Sequence, residues 1–179
     1  MSSAPGNKEF AETVAGLIAG DFSRLDPLFV STSGNEGRCK IIEWFEAGLF
    51  ETEPKALAEA FSCACFNGRT DVVRYFLDHG ISREGGDNTG MGAIHWAVNR
   101  GQLEVTRMLL AADWPLEHRN MYGGTVLGAA VWSAIHEPKA KHLEIIEELI
   151  RGGANLNEVE YPTGHADVDE VLRRHEFGK

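Results

Sequence analysis

Two histidines six residues apart, His136 and His142, are the first candidates for chemistry in this sequence. Imidazole and carboxylate groups together can bind a metal ion or share the acid and base steps of a hydrolase. Acidic residues lie nearby, but no third or fourth ligand stands at an evident spacing. A metal-binding protein or hydrolase that uses His and acidic residues near the 133–142 loop is kept as the alternative function.

Motifs for nucleotide or covalent chemistry are missing from the sequence. It contains no phosphate loop, zinc-protease helix, nucleophile elbow or Cys-x-x-Cys pair. Gly86, Gly90 and Gly92 indicate a turn, because they lack the strand-then-helix context that a dinucleotide site requires. Cys63 and Cys65 lie about 200° apart on a predicted helix, which favours reduced, half-buried side chains over a disulfide or metal pair. We therefore predict no catalytic residue, no metal and no cofactor.

Composition and charge narrow the class of partner. The chain has 179 residues, of which 43% are hydrophobic and 25% charged, as expected of one folded domain. Its formal charge of −10 would repel phosphate backbones and anionic lipids, so nucleic acid and membrane partners are not expected. No signal peptide or membrane-spanning run is visible, which indicates a cytoplasmic protein. We expect it to be a monomer.

A repeat of 33 residues organises the chain. Large apolar residues recur at this interval, each followed three positions later by a small residue. The large positions are Leu28, Phe61, Ile94 and Leu127, and the small ones are Ser31, Ala64, Ala97 and Ala130. Each unit is predicted to contain a short helix, a turn at Gly68 or Gly101, a longer amphipathic helix and a loop. The longer helices end near Gly48, Gly80, Asp113 and Gly153.

Such helix pairs bury their apolar faces only by stacking against neighbours, so the ends of the array need covering. Apolar stripes at both ends of the chain predict two such caps. The expected organisation is a cap helix at 8–20, repeats at 21–53, 54–86, 87–119 and 120–159, and a C-terminal cap at 160–179. The last repeat carries seven extra residues, which we place in a loop within 133–141.

The best-formed unit runs from Asp87 to Leu110 and resembles the ankyrin repeat. It is similar to the family pattern D-x-x-G-x-T-P-L-H-x-A-A-x-x-G-H-x-E-V-V-x-x-L-L, with Gly92 and Ala93 in place of Thr-Pro and Gln102 in place of the second His. The resemblance implies an all-α ankyrin-repeat solenoid of stacked helix-turn-helix units with projecting turns. His95 stands where the family has a structural histidine.

The same resemblance implies a function, because members of the family bind proteins through a concave groove and the turn tips. Carried onto this sequence, the positions that vary within the family predict the contact residues. The predicted partner-binding residues are Asn88, Thr89, Met91, Asn99, Arg100, Met121, Tyr122, Trp132, Ser133 and His136. We expect a non-enzymatic interaction module that acts as an adaptor, a regulator, or an inhibitor such as an immunity protein.

Trp132 is the first residue to single out, because large aromatic residues and Arg dominate interface energies. It stands at a groove position, but it could instead pack under the loop that follows. For Trp96, core packing is favoured. The loop within 133–141 either carries specific contacts or is a tolerated insertion, since a longer surface loop costs little closure entropy.

Overall fold

The computed structural model describes residues 5–21, 25–30, 38–83 and 90–176. Within these ranges every regular element is a helix, which confirms the predicted all-α class. The helices are α1 (Pro5–Ala19), α2 (Leu25–Leu28), α3 (Lys40–Glu46), α4 (Pro54–Phe66), α5 (Thr70–Asp78), α6 (Ala93–Asn99), α7 (Leu103–Ala111), α8 (Val126–His136), α9 (His142–Arg151) and α10 (Ala166–Glu176), with a 3-10 turn at Leu156–Glu158.

Helices α4 to α9 form three successive pairs stacked in two rows. The first helices α4, α6 and α8 contact one another in that order, and the second helices α5, α7 and α9 do the same. Phe61, Ile94 and Leu127 are at most 2% exposed, and the alanines three positions later are fully buried. A small residue beside each large one lets neighbouring helices approach closely. The residues of the 33-residue register therefore form the continuous core of the stack.

The two terminal helices bury apolar faces against this stack. Helix α1 packs on α4, while α10 packs on α8 and α9. The Phe10 ring of α1 makes edge-on contacts with Trp44 and Phe50, at centroid distances of 5.3 and 5.1 Å. From α10, Val168 and Leu172 are at most 3% exposed. Both ends of the described stack are thus covered by apolar contacts.

The extra residues of the last repeat have a different secondary structure from the one expected. They were predicted to form a loop within 133–141, but α8 continues to His136 and the connection to α9 is only residues 137–141. Ser133 and Ala134 are 1% and 5% exposed, so the buried face of the helix runs on past Trp132. The helix ends at Glu137, where the following Pro138 disfavours helical backbone.

Neighbouring repeats are joined by a hydrogen bond that recurs along the stack. The Gln102 side-chain Nε2 donates to the carbonyl oxygen of Phe66 at 3.0 Å. In the next repeat, Nε2 of His142 lies 3.2 Å from the carbonyl oxygen of Asn99. Phe66 and Asn99 are the last residues of α4 and α6, so both bonds reach a carbonyl that the helix itself leaves unpaired.

A glycine follows each of these carbonyls by two residues and permits the close approach. Gly68 and Gly101 have φ values of 69° and 74°, in the left-handed region that favours glycine. A Cβ atom on Gly68 would lie 2.7 Å from Cδ of Gln102. On Gly101 it would lie 2.9 Å from Cβ of Lys139. The inter-helix turn and the contact between repeats therefore both require glycine here.

The His142 ring is fixed in one tautomer by its two partners. The backbone N–H of Lys139 donates to Nδ1 at 3.1 Å, so Nε2 carries the proton and donates to the carbonyl of Asn99. The side chain is 1% exposed. Burial lowers the pKa of His142 below its ordinary value, and the charge of Lys139 acts in the same direction. The neutral ring is therefore the form that the fold uses.

We predict that Gly68→Ala lowers the free energy of unfolding by more than Gly80→Ala. Both glycines have positive φ, 69° and 73°, so both variants lose about 1–2 kcal/mol to left-handed strain. At Gly80 no atom of the described residues lies within 4 Å of the new methyl group. At Gly68 the methyl displaces Gln102 from Phe66, which costs about 1 kcal/mol more. Urea unfolding of both variants measures the difference; equal losses would contradict the close approach.

We also predict that His142 makes the protein less stable in mild acid. Because its folded pKa is lower than its unfolded pKa, the unfolded chain binds more protons below about pH 6.5. The contribution of His142 to the free energy of unfolding is complete above that pH and is lost as the pH falls.

His142→Gln keeps a donor for the Asn99 carbonyl, as Gln102 does for Phe66, but cannot titrate. Urea unfolding at about pH 7.5 and about pH 5 should show a smaller loss in the variant than in the wild type. A loss of the same size in both would exclude His142 as the source.

Candidate functional site

The turn between α7 and α8 projects beside the first-helix row and is held by Asn120. Its Oδ1 accepts hydrogen bonds from the backbone N–H groups of Tyr122 and Gly124, both at 3.0 Å. The N–H of Met121 donates to the carbonyl of Gly90 at 3.1 Å, which ties this turn to the preceding one. Met121 and Tyr122 are left 61% and 82% exposed at the tip. The turn therefore presents two large side chains on a defined backbone.

Trp132 lies on α8, facing the side of that turn. Its side chain is 50% exposed, so the loop after α8 does not cover it. The ring of His136, one helical turn later, stacks on the indole with centroids 4.7 Å apart and an interplanar angle of 17°. Nδ1 of His136 donates to the Trp132 carbonyl at 2.8 Å and holds that ring in place. One indole face is thus supported while the rest of the ring stays accessible.

An open depression of about 560 Å³ lies between Tyr122 and Trp132, and we name it the aromatic groove. It is lined by Met91, Asn99, Asn120, Tyr122, Gly124, Gly128, Ala129, Trp132 and Ser133. None of these nine side chains carries a charge. Gly124, Gly128 and Ala129 are small and leave space between the aromatic rings. The groove is therefore shaped for an apolar group with a few neutral hydrogen-bonding contacts.

A chain of hydrogen bonds fixes the polar wall of the aromatic groove. Nδ2 of Asn99 donates to Oγ of Ser133 at 3.0 Å, and that hydroxyl donates to the carbonyl of Ala129 at 2.8 Å. Ser133 is 1% exposed, so its role is internal. The buried serine joins the end of α6 to α8 and orients the half-buried amide of Asn99.

The structure brings five of the predicted contact residues together in the aromatic groove. Those that line the aromatic groove are Met91, Asn99, Tyr122, Trp132 and Ser133. Met121 and His136 are exposed beside it. Arg100 is also exposed, and its guanidinium lies 4.5 Å from the centre of the Phe66 ring. Asn88 and Thr89 lie outside the described residues.

Four lining residues are not among the predicted contact residues, namely Asn120, Gly124, Gly128 and Ala129. Asn120 had a signal in the sequence, because an Asn shortly before a pair of glycines, here Gly123 and Gly124, is typical of a turn closed by the Asn side chain. Gly128 and Ala129 lacked one, since small residues on a helix are equally suited to close packing. Trp96 is half-buried and contacts Phe66 at a centroid distance of 5.3 Å, in agreement with its expected packing role.

The alternative site around His136 and His142 has little support in the geometry. Both ring nitrogens of His142 are engaged by the backbone, and His136 stacks on Trp132. Within the described ranges no group of three or more His, Cys, Asp or Glu side chains is placed to hold a metal ion. Cys65 is buried, which raises the pKa of its thiol, while Cys63 is half-buried on another side of α4. Cys63 and Cys65 are therefore placed for packing.

A second, larger depression of about 1020 Å³ opens at the C-terminal end of the stack, between α9, the 3-10 turn and α10. Its cationic residues Arg151 and Arg174 are both paired with Glu147, at 3.2 and 3.0 Å. It lies away from all the predicted contact residues. The aromatic groove is therefore the better candidate, although it is the smaller of the two. Over the part of the chain that the structure covers, no helix has the length and apolar character to cross a bilayer.

Comparison with known proteins relates these features to a family. Residues 28–115 match the family described as ankyrin repeats (3 copies). Palmitoyltransferase ZDHHC13 of Homo sapiens is 32% identical over 108 residues, which cover 58% of this chain and 17% of that protein. Inversin-B of Xenopus laevis is 40% identical over 62 residues, 34% of this chain and 6% of that protein. Protein fem-1 homolog A-like of Mus musculus is 31% identical over 88 residues, 49% of this chain and 12% of that protein.

The chain thus spans less than a fifth of the length of these relatives. What they share with it is the repeat segment. Ankyrin repeats generally mediate protein–protein interactions and are typically non-enzymatic. The stacked helix pairs, the glycine turns between them and the matched segment together show that this chain belongs to the ankyrin-repeat family.

Proposed function

We propose that this chain binds a protein partner through the aromatic groove and the turn tip beside it. The observation that supports this most is the pairing of two exposed aromatic residues, Tyr122 and Trp132, across an uncharged depression. Trp and Tyr are enriched among the residues that dominate binding energy at protein interfaces. The indole of Trp132 is half exposed and held by His136, so a partner that covers it would gain favourable burial of apolar area.

In this proposal the contact residues have different roles. Trp132, Tyr122, Asn99 and Met91 contact the partner at the centre, and Arg100, Met121 and His136 contact it at the edge. Ser133 acts indirectly by orienting Asn99. Asn88 and Thr89 stay in the proposed interface on the family resemblance alone.

The proposed biological role is that of a monomeric, cytoplasmic, non-enzymatic adaptor, regulator or inhibitor, of which an immunity protein is one form. The charge of −10 argues against nucleic acid and membrane surfaces as partners. Of the three relatives named above, the palmitoyltransferase is the one with a catalytic name, and the match covers 17% of that protein. That name therefore gives no reason to propose catalysis here.

We further propose that the array consists of four repeats, at 21–53, 54–86, 87–119 and 120–159. The segments 8–20 and 160–179 are proposed to cover its two ends. The packing of α1 on α4, and of α10 on α8 and α9, supports this division.

We predict that Trp132→Ala weakens partner binding by about 2 kcal/mol or more, roughly 30-fold in the dissociation constant. The tagged chain of 179 residues is used to capture its partner from lysate of its source cells. The dissociation constant of the purified complex is then measured by calorimetry for the wild type and the variant. Since Trp132 is half exposed, its loss should change the free energy of unfolding little.

Leu143→Ala is the matched control, because Leu143 is a partly exposed apolar residue on α9 in the other row of helices. It should leave the dissociation constant within about twofold. If Trp132→Ala and Tyr122→Ala bind as well as Leu143→Ala while remaining folded, the aromatic groove is not the interface.

A further inference from the structure

The amide of Asn99 has only one orientation available. Ser133 donates its single hydroxyl proton to the carbonyl of Ala129, so toward Asn99 its oxygen can only accept. Asn99 therefore turns its NH₂ group to Ser133, at 3.0 Å. Its Oδ1 is left for the groove, and no described residue donates a hydrogen bond to it. The α6 side of the groove thus offers a neutral acceptor.

The amide of Asn120 is held in the opposite sense. Its Oδ1 accepts two backbone N–H groups, from Tyr122 and Gly124, which leaves Nδ2 as the group not used by the turn. Asn120 also lines the groove, and no hydrogen bond from Nδ2 is made within the described ranges. The turn side therefore offers a neutral donor. The two asparagines are oriented by internal bonds, before any partner arrives.

One neutral acceptor and one neutral donor match the N–H and C=O groups of a protein main chain. Within a helix these groups already bond to one another, so a helical ligand could not offer both in mid-segment. An extended stretch or a loop can. The side chain carried by that stretch would meet the rings of Trp132 and Tyr122 over the small residues Gly128 and Ala129.

The electrostatics restrict that side chain further. Because none of the described residues that line the aromatic groove is charged, a charged group placed there would lose hydration without gaining a counter-ion from them. We infer that the aromatic groove binds an extended, uncharged segment of a protein partner, whose main chain is read by Asn99 Oδ1 and Asn120 Nδ2 and whose apolar side chain packs between Trp132 and Tyr122. This inference rests on the proposed function and specifies the chemistry of its ligand.

The test uses NMR on the full chain with a defined probe, the capped tripeptide acetyl-Gly-Leu-Gly-methylamide, at millimolar concentration. We expect saturable shifts of the Trp132 indole N–H and of the Asn99 and Asn120 side-chain amides. Methylation of the leucine nitrogen removes the N–H for Asn99, and should weaken binding about tenfold. Replacement of the probe leucine by glutamate should weaken binding at least as much.

Two chemically identical substitutions give the sharper comparison. Asn120→Asp keeps the oxygen that closes the turn but replaces the donor by a carboxylate oxygen, so affinity for the probe should fall about tenfold. Asn99→Asp keeps an acceptor facing the groove, and the Ser133 hydroxyl can rotate to donate to it. Affinity should then be retained or rise. Both variants add the same charge, so each controls for the electrostatic effect of the other.

Equal losses in Asn99→Asp and Asn120→Asp would overturn the assignment of one acceptor and one donor. Tighter binding of the glutamate probe, or equal binding of the N-methylated probe to the wild type, would also overturn it, and these measurements need no variant. If partner binding depends on Trp132 while the tripeptide shifts none of the three groups, the inference fails and the proposed function stands. Partner binding that is indifferent to Trp132 and Tyr122 would remove the proposed function itself.

Discussion

The described stack depends on a hydrogen bond between neighbouring repeats. In each case a side chain at the start of the second helix of one repeat bonds to the end of the first helix of the repeat before it. It satisfies a carbonyl that a helix terminus leaves unpaired, at Phe66 through Gln102 and at Asn99 through His142. A Cβ on Gly68 would lie 2.7 Å from Cδ of Gln102 and block the first bond, whereas a Cβ on Gly101 would meet Cβ of Lys139 at 2.9 Å, beside the second. At these two junctions the same contact therefore pairs a backbone carbonyl and packs neighbouring repeats closely.

The same contact gives the aromatic groove a fixed wall. The backbone of Asn99 is held by His142, and its side chain is held by Ser133, so both constraints come from the last repeat. In the proposed interface, a residue held at two points would lose little conformational entropy on binding. The turn tip is fixed in a comparable way, because Asn120 closes it and Met121 is bonded to Gly90. Stability of the stack and preorganisation of the groove thus have common causes.

The fold could be predicted from the sequence because the 33-residue repeat determines most of it. Large and small residues in strict step placed Phe61, Ile94 and Leu127 in the core, and Asp113, expected as a turn residue, has a φ of 52°. The groove could be predicted only in part. Trp132 and Tyr122 followed from their places in the repeat, but the burial of Ser133 did not, because it depends on how far α8 continues. Asn120 was not predicted, because its role depends on hydrogen bonds across a turn, and the repeat period carries no information about them.

The seven extra residues of the last repeat matter because four of them extend a helix. In strict 33-residue register Ser133 corresponds to Arg100, which caps α6 and is exposed. Since α8 continues through this point, Ser133 is instead buried beside Asn99 and His136 is carried one turn beyond Trp132. Ser133 lies behind the Asn99 amide, and the His136 ring stacks on the Trp132 indole. Both residues reach these positions only because α8 is longer. The extra residues, for which the sequence allowed either specific contacts or a tolerated insertion, therefore shape one wall of the aromatic groove from behind.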